Sequence, residues 1–270
     1  MENVDFAYQP GQPVLRDISF TVARGEAAAL LGANGSGKST LLKILGGLQW
    51  PTAGRVLAFG ESLTEERFTD PVFAASFRRR VGFVFQNTDA QLFCPTVADE
   101  VAYGPAQLGW TAEQVRRRVD EVLAFFGVTG LASRPPYRLS GGEKKKVALA
   151  ATLAVNPEVL LLDEPTANLD PRTQYWLVSF LQRLHKAGKT LVIATHDLDI
   201  VPALAGRVLV LGEDHRLLAA GSPLGVLEDR ELLLEANLVH EHYHVHGHRG
   251  EHGHLHFHQH DHQVAHGREK

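Results

Sequence analysis

Short apolar runs punctuate the chain at Ala27–Leu31, Val81–Phe85, Val159–Leu162 and Leu191–Ala194, none interrupted by a charge. A strand with one wet face alternates apolar and polar residues; one buried on both faces does not. These Val-, Ile- and Leu-rich runs therefore predict a parallel sheet covered by helices. Between them the spacing changes. Val115, Val119, Val122 and Phe126 recur at intervals of three and four, the stripe of an amphipathic helix over 111–126, with Thr111 placed to cap it. Positions 41–48 have helix-like spacing that stops at Gly46-Gly47 and Pro51. No internal repeat is evident. The pattern predicts an α/β body over 1–239 with a mainly helical insertion near 87–155.

At His240 the pattern ends. Twelve of the 15 histidines lie beyond it: His240, His242, His244, His246, His248, His252, His254, His256, His258, His260, His262 and His266. Apolar residues are sparse there and glycines interrupt them, so no packed structure is expected over 240–270. No apolar run reaches the 18 or more residues of a transmembrane helix. The first residues, Met-Glu-Asn-Val-Asp, lack the basic and apolar regions of a signal peptide. A single cysteine, Cys94, excludes an internal disulfide framework and permits a reducing cytoplasm. The net charge of −4 disfavours a nucleic-acid partner, which calls for a basic surface.

Chemistry enters at Gly32-Ala33-Asn34-Gly35-Ser36-Gly37-Lys38-Ser39-Thr40, which fills every fixed position of the phosphate-loop pattern. Glycines let successive backbone N–H groups turn inward as an anion nest, and the helix that follows adds its positive end. In that pattern Lys38 neutralises β- and γ-phosphate charge, and the Ser39 hydroxyl can ligate Mg²⁺. Val159–Leu162 runs into Asp163 and Glu164, two acids at the end of a buried strand, where open α/β sheets place their ligands. Asp163 suits Mg²⁺ and Glu164 suits a general base that polarises the attacking water. Leu191–Ala194 ends similarly, at Thr195-His196.

Leu139-Ser140-Gly141-Gly142-Glu143 completes a set with the cradle, with Asp163-Glu164, with Asn168-Leu169-Asp170 and with His196. In order and spacing this set resembles the nucleotide-binding subunit of ABC transporters over residues 1–235. The resemblance implies a P-loop NTPase core with a mainly parallel sheet, an antiparallel β subdomain and a helical subdomain. It implies ATP and Mg²⁺ as ligands, with ATP hydrolysis driving transport. Tyr8 looks like the residue that stacks on adenine, and Gln86 like the glutamine that touches Mg²⁺ and the lytic water. Few residues precede Tyr8, so a short first strand is expected. Ser140, Gly141 and Gly142 would bind the γ-phosphate held by an opposite subunit, His196 would contact the same phosphate, and Asp170 would communicate across the dimer. Two chains, identical or paralogous, would thus sandwich two nucleotides. Glu143 stands where the signature often has Gln, a familiar variant.

The stretch Gln86-Asn87-Thr88-Asp89-Ala90-Gln91-Leu92-Phe93, continued by Asp99-Glu100-Val101-Ala102-Tyr103-Gly104-Pro105, is similar to the energy-coupling-factor branch, in particular the cobalt and nickel importer ATPases. That resemblance implies a transmembrane coupling subunit, a substrate-capture membrane subunit and a place on the cytoplasmic face of the cell membrane, with Gln91-Leu92-Phe93 in the segment that grips the coupling helices. Importers of another micronutrient, such as a vitamin, and soluble ABC ATPases are the alternatives. In the tail, His-x-His spacing on an extended chain places alternate rings on one side, where neutral imidazoles suit Ni²⁺, Co²⁺ or Zn²⁺.

Overall fold

The computed structural model describes residues 1–239 in full, and residues 240–244 and 252–257 through their backbone. The apolar runs become the centre of a six-stranded sheet. Its order is Leu217–Gly221, Arg207–Leu211, Ala27–Leu31, Thr190–Ala194, Val159–Asp163 and Val81–Val84. All pairings are parallel except at the Leu217–Gly221 edge, which runs antiparallel to its neighbour. Every residue of Ala27–Leu31 and of Thr190–Ala194 is buried, as strands covered on both faces require. In register, Leu30 pairs with Ala194 and Ala194 with Asp163, so three neighbouring strands end at one level. That shared level decides where the chemistry sits.

A second, antiparallel sheet joins Gln12–Ile18, Glu2–Gln9 and Ala53–Arg55. The strand carrying Tyr8 spans eight residues. Helix Lys38–Leu45 follows the cradle directly and ends at Gly46. It packs Leu41, Leu42 and Ile44 into a cluster with Leu161, Val192 and Leu209 of the main sheet.

The predicted amphipathic helix spans Ala112–Phe126 and begins in a capping box, with Thr111 and Gln114 satisfying each other's backbone N–H groups. It buries Val119, Val122, Leu123 and Phe126 against helices Val97–Gln107 and Gly141–Leu153, forming a helical layer beside the sheet. Among the described residues no helix is long and apolar enough to cross a membrane.

Past His240, where no packed structure is expected, the backbone forms two paired strands. Val239–His244 is a strand that pairs antiparallel with His252–Phe257. The reason lies in the residues between the histidines. Val239, Tyr243, Leu255 and Phe257 are good strand formers, and alternation with histidine repeats every two residues, the period of a strand. His246, His248, His258, His260, His262 and His266 lie outside the described residues.

Candidate active site

The cradle opens off the strand Ala27–Leu31 and closes at Gly37, whose φ of 106° is open to glycine but strained for any other residue. Space forbids a side chain there as well: a Cβ on Gly37 would lie 2.5 Å from the Val14 carbonyl oxygen. Gly37 also caps helix Lys38–Leu45, so that helix's unpaired N–H groups face the loop.

Lys38 folds back over this loop. Its Nζ donates to the carbonyls of Gly32 at 2.8 Å and Ala33 at 3.0 Å, and lies 4.0 Å from Glu164 Oε1. Burial pushes its pKa down from the usual lysine value, while the Glu164 and Asp163 carboxylates oppose that push. Ser39 Oγ donates to Asp163 Oδ1 at 2.9 Å, joining two motifs 124 residues apart. Burial raises the Asp163 pKa and the Ser39 hydrogen bond opposes it. A hydroxyl and a carboxylate side by side are the oxygen donors Mg²⁺ takes alongside phosphates. Among the described residues Ser36 Oγ, on the same loop, is buried without a hydrogen-bond partner, its bonding capacity unused. The donor set fits Mg²⁺ and a polyphosphate.

Glu164 follows the strand end with a φ of 42°, a left-handed conformation unusual for a side-chain-bearing residue. Holding it there costs on the order of 1–3 kcal/mol. The surrounding structure imposes it, since the Glu164 N–H donates to the Ala194 carbonyl at 2.9 Å and the residue is buried. The twist brings Oε1 to 2.9 Å from His196 Nδ1. That hydrogen bond raises the His196 pKa above the ordinary histidine value, against the effect of partial burial. Gln86 and Glu164 line one cleft of about 300 Å³ with Asn34, Gly35, Gly37, Lys38, Ser39 and Thr40. Tyr8 stands at its rim, half exposed, with its hydroxyl 3.2 Å from Thr40 Oγ1 and its ring edge-on to Phe6.

Ser140, Gly141, Gly142 and Asp170 stand outside the lining of that cleft. Ser140 is exposed and caps helix Gly141–Leu153 in a capping box with Glu143. The variant residue thus has a local role: its carboxylate accepts from the Ser140 N–H and Oγ, each at 2.8 Å. These bonds hold the Glu143 carboxyl below the ordinary range. Asp170 caps helix Pro171–Lys186 through Thr173, and Thr173 packs against Gly142, so the two exposed caps are neighbours.

Gln91, read as part of a gripping segment, turns inward: its Oε1 accepts from the Phe85 N–H at 3.0 Å and its Nε2 donates to the Phe83 carbonyl at 3.4 Å. Leu92 is buried too, which leaves Phe93, exposed and edge-on to Tyr103, as the outward residue of the trio. Lys145 went unnoticed in its run of three lysines. It is 2% exposed and donates to the Phe85 carbonyl, next to Gln86. Ala148 and Leu149, at i+3 and i+4, are the apolar neighbours that mark this face of the helix as inward-facing.

Burial pushes the Lys145 ammonium down to about 8 from 10.5. An unfolded chain keeps this proton up to the higher value, so folding releases it at intermediate pH and stability rises with pH across that interval. The gap between the two values corresponds to about 3 kcal/mol. In urea unfolding, the stability of the native chain relative to Lys145→Met is expected to increase by about that amount between pH 7.5 and 10.5. A difference that stays flat over this range would contradict the assignment.

Fold and cleft together define an α/β P-loop NTPase. The profile of the family described as ABC transporter matches residues 15–167. The chain belongs to that family, as an ATP-binding subunit that hydrolyses ATP in transport. It is 53% identical to the nickel import ATP-binding protein NikO of Rhodobacter capsulatus over 88% of this chain and 94% of the relative. Among solved structures it is similar to cbiO1 of Clostridium perfringens, part of the ABC transporter complex cbiONQ. That match has 37% identity and a TM-score of 0.74, over 88% of this chain and 93% of the other. It is similar also to an ATP-binding cassette solved as a dimer in a post-hydrolysis state bound to ADP and Pi. There the identity is 29% and the TM-score 0.73, over 82% of this chain and 97% of the other.

Proposed function

We propose that this subunit drives uptake of cobalt or nickel in an importer of the energy-coupling-factor type. The observation that carries the mechanism is the convergence of Lys38, Ser39, Asp163, Glu164 and His196 at the level ends of three parallel strands. Ser39 and Asp163 would hold Mg²⁺, which would offset charge on the phosphates. Glu164 Oε1 takes a proton from the attacking water, and His196 orients that oxygen through its hydrogen bond. Gln86, on the same cleft wall, positions the water, and Tyr8 offers its ring to adenine.

The exposed Ser140 cap complements the cleft of a second copy or a paralogue, with Gly141 and Gly142 beside it and Asp170 next to them. ATP held between two such halves bridges them, and hydrolysis removes the bridge. The dimeric form of a similar cassette supports this arrangement. The likeness to a nickel import protein and to a cbiO1 cassette supports the metal substrate. It also supports a membrane coupling subunit and a substrate-capture subunit as partners, on the cytoplasmic face. The His-rich tail adds imidazole ligands for Ni²⁺, Co²⁺ or Zn²⁺ near the importer.

Affinity purification from detergent-solubilised membranes of the native cell tests the assignment. The expected co-eluting proteins are a polytopic coupling subunit, a small membrane capture subunit and a second cassette. Ribosomal proteins in their place would overturn it.

A further inference from the structure

The hydrolytic steps leave one buried charge without a task. Lys145 stands on the inward face of helix Gly141–Leu153, on which Ala148 and Leu149 are also buried, and is 2% exposed. An ammonium in that place has to be met by an acceptor, because burying it unpaired is costly. The acceptor is the Phe85 carbonyl, 3.4 Å from Nζ. Phe85 lies one residue past Val81–Val84, the edge strand of the main sheet, and one residue before Gln86. Its other polar group is taken as well: the Phe85 N–H donates to Gln91 Oε1 at 3.0 Å. The two bonds hold the two peptide planes that meet at Phe85. The second of these planes contains the Cα of Gln86, so anchoring the carbonyl sets where Gln86 starts and which way it leaves the strand.

The same helix fastens the neighbouring residues. Thr152 follows Lys145 by two helical turns and so shares its face. Its hydroxyl lies 3.3 Å from the Phe83 carbonyl and 3.3 Å from Gln91 Nε2. Lys144 pairs with Asp89 at 2.6 Å on the exposed side. A segment with Gln86 near its middle is therefore tied to one helix, and that helix begins at the exposed Ser140 cap.

Resting on the reading of Gln86 as the residue that positions the attacking water, we propose that Lys145 is a positioning residue for hydrolysis. Together with Gln91 it clamps the Phe85 backbone and so sets the place of Gln86 in the cleft. Lys145 stands outside the cleft lining and acts through Gln86. A misplacement of about 1 Å in a positioned group can slow a reaction by about a hundredfold, so a small shift of one carbonyl is enough. Nucleotide binding does not depend on the clamp, since Lys38, Ser39 and the loop around them are held by other contacts. Loss of the clamp therefore belongs in kcat, with KM near native.

A double-mutant cycle on the full chain tests this. Steady-state ATP hydrolysis and affinity for a fluorescent ATP analogue are measured for the native chain, Lys145→Met, Gln86→Ala and the double variant. Methionine keeps the apolar length of the side chain and removes the donor. The expected kcat of Lys145→Met is about tenfold or more below native, with analogue affinity within about twofold. Gln86→Ala falls at least as far, and adding Lys145→Met to it slows hydrolysis no further. A native kcat for Lys145→Met overturns the proposal, as does a fall in kcat matched by a fall in affinity, which marks a general loosening of the fold. An effect that multiplies with that of Gln86→Ala overturns it too. Lys145 then reaches the site by another route, such as the Asp163 carboxylate that favours its ammonium. In each of these cases a slow Gln86→Ala leaves Gln86 its role; a native kcat for Gln86→Ala removes that role, and the clamp with it. Gln91→Met, which frees the Phe85 N–H, goes through the same cycle and is expected to behave as Lys145→Met does. It keeps the clamp testable if Lys145→Met does not fold, and a native kcat there overturns the clamp.

Discussion

Glu164→Gln is expected to bind ATP, to dimerise and to turn over at least about a hundredfold more slowly than the native chain, the scale on which a positioned general base acts. The substitution keeps the shape and the hydrogen bond to His196 while removing the basic oxygen. Nucleotide binding should survive because the removed charge does not belong to the donor set. It even relieves repulsion, since Asp163 sits beside Glu164 in a buried site where one carboxylate raises the pKa of the other. A second readout separates chemistry from folding. A carboxylate raises His196 through its hydrogen bond and its charge; an amide oxygen accepts more weakly and carries no charge, so the imidazole should titrate at a lower pH in the variant, measurable by NMR. Normal steady-state hydrolysis by Glu164→Gln would remove the residue from its proposed role.

Lys38→Ala is expected to lose nucleotide affinity by about a hundredfold or more, or about 3 kcal/mol. Two causes act together. The ammonium that faces the phosphates is gone, and Glu164 and Asp163, both buried, are left without the cation that offsets them. The fold itself should persist. Burial already disfavours the Lys38 charge, and its bonds go to two loop carbonyls rather than to the core. A melting temperature near native combined with lost binding of a fluorescent ATP analogue is therefore the expected pair of observations. Unchanged affinity would refute the placement of Lys38.

Much of this site was readable because its parts are contiguous. Gly32 to Thr40 works as one loop whose backbone does the binding, and Asp163-Glu164 ends a strand recognisable by its unbroken apolar run. The cap Thr111 was legible for a similar reason: a cap acts within three residues. Gln91 and Lys145 were not. A glutamine in a polar loop and the middle lysine of three look solvated, and only the packing of helix Gly141–Leu153 against the strand Val81–Val84 turns both onto the Phe83–Phe85 backbone. The tail shows the limit most plainly. Its two-residue alternation was visible, yet which histidine faces which depends on where the chain reverses.

By itself, the order of residues along the chain determined the chemistry on offer: an anion nest, paired acids, a signature cap and a store of imidazoles, each carried by neighbours in sequence. Tertiary structure decided which groups share a proton, a cation or a register. The 2.9 Å contact of Ser39 with Asp163 spans 124 positions and that of Glu164 with His196 spans 32, distances set by the parallel register of three buried strands. Local spacing encodes what a segment can do. Only the closed sheet, by burying those strands at one level, brings the segments within hydrogen-bond reach.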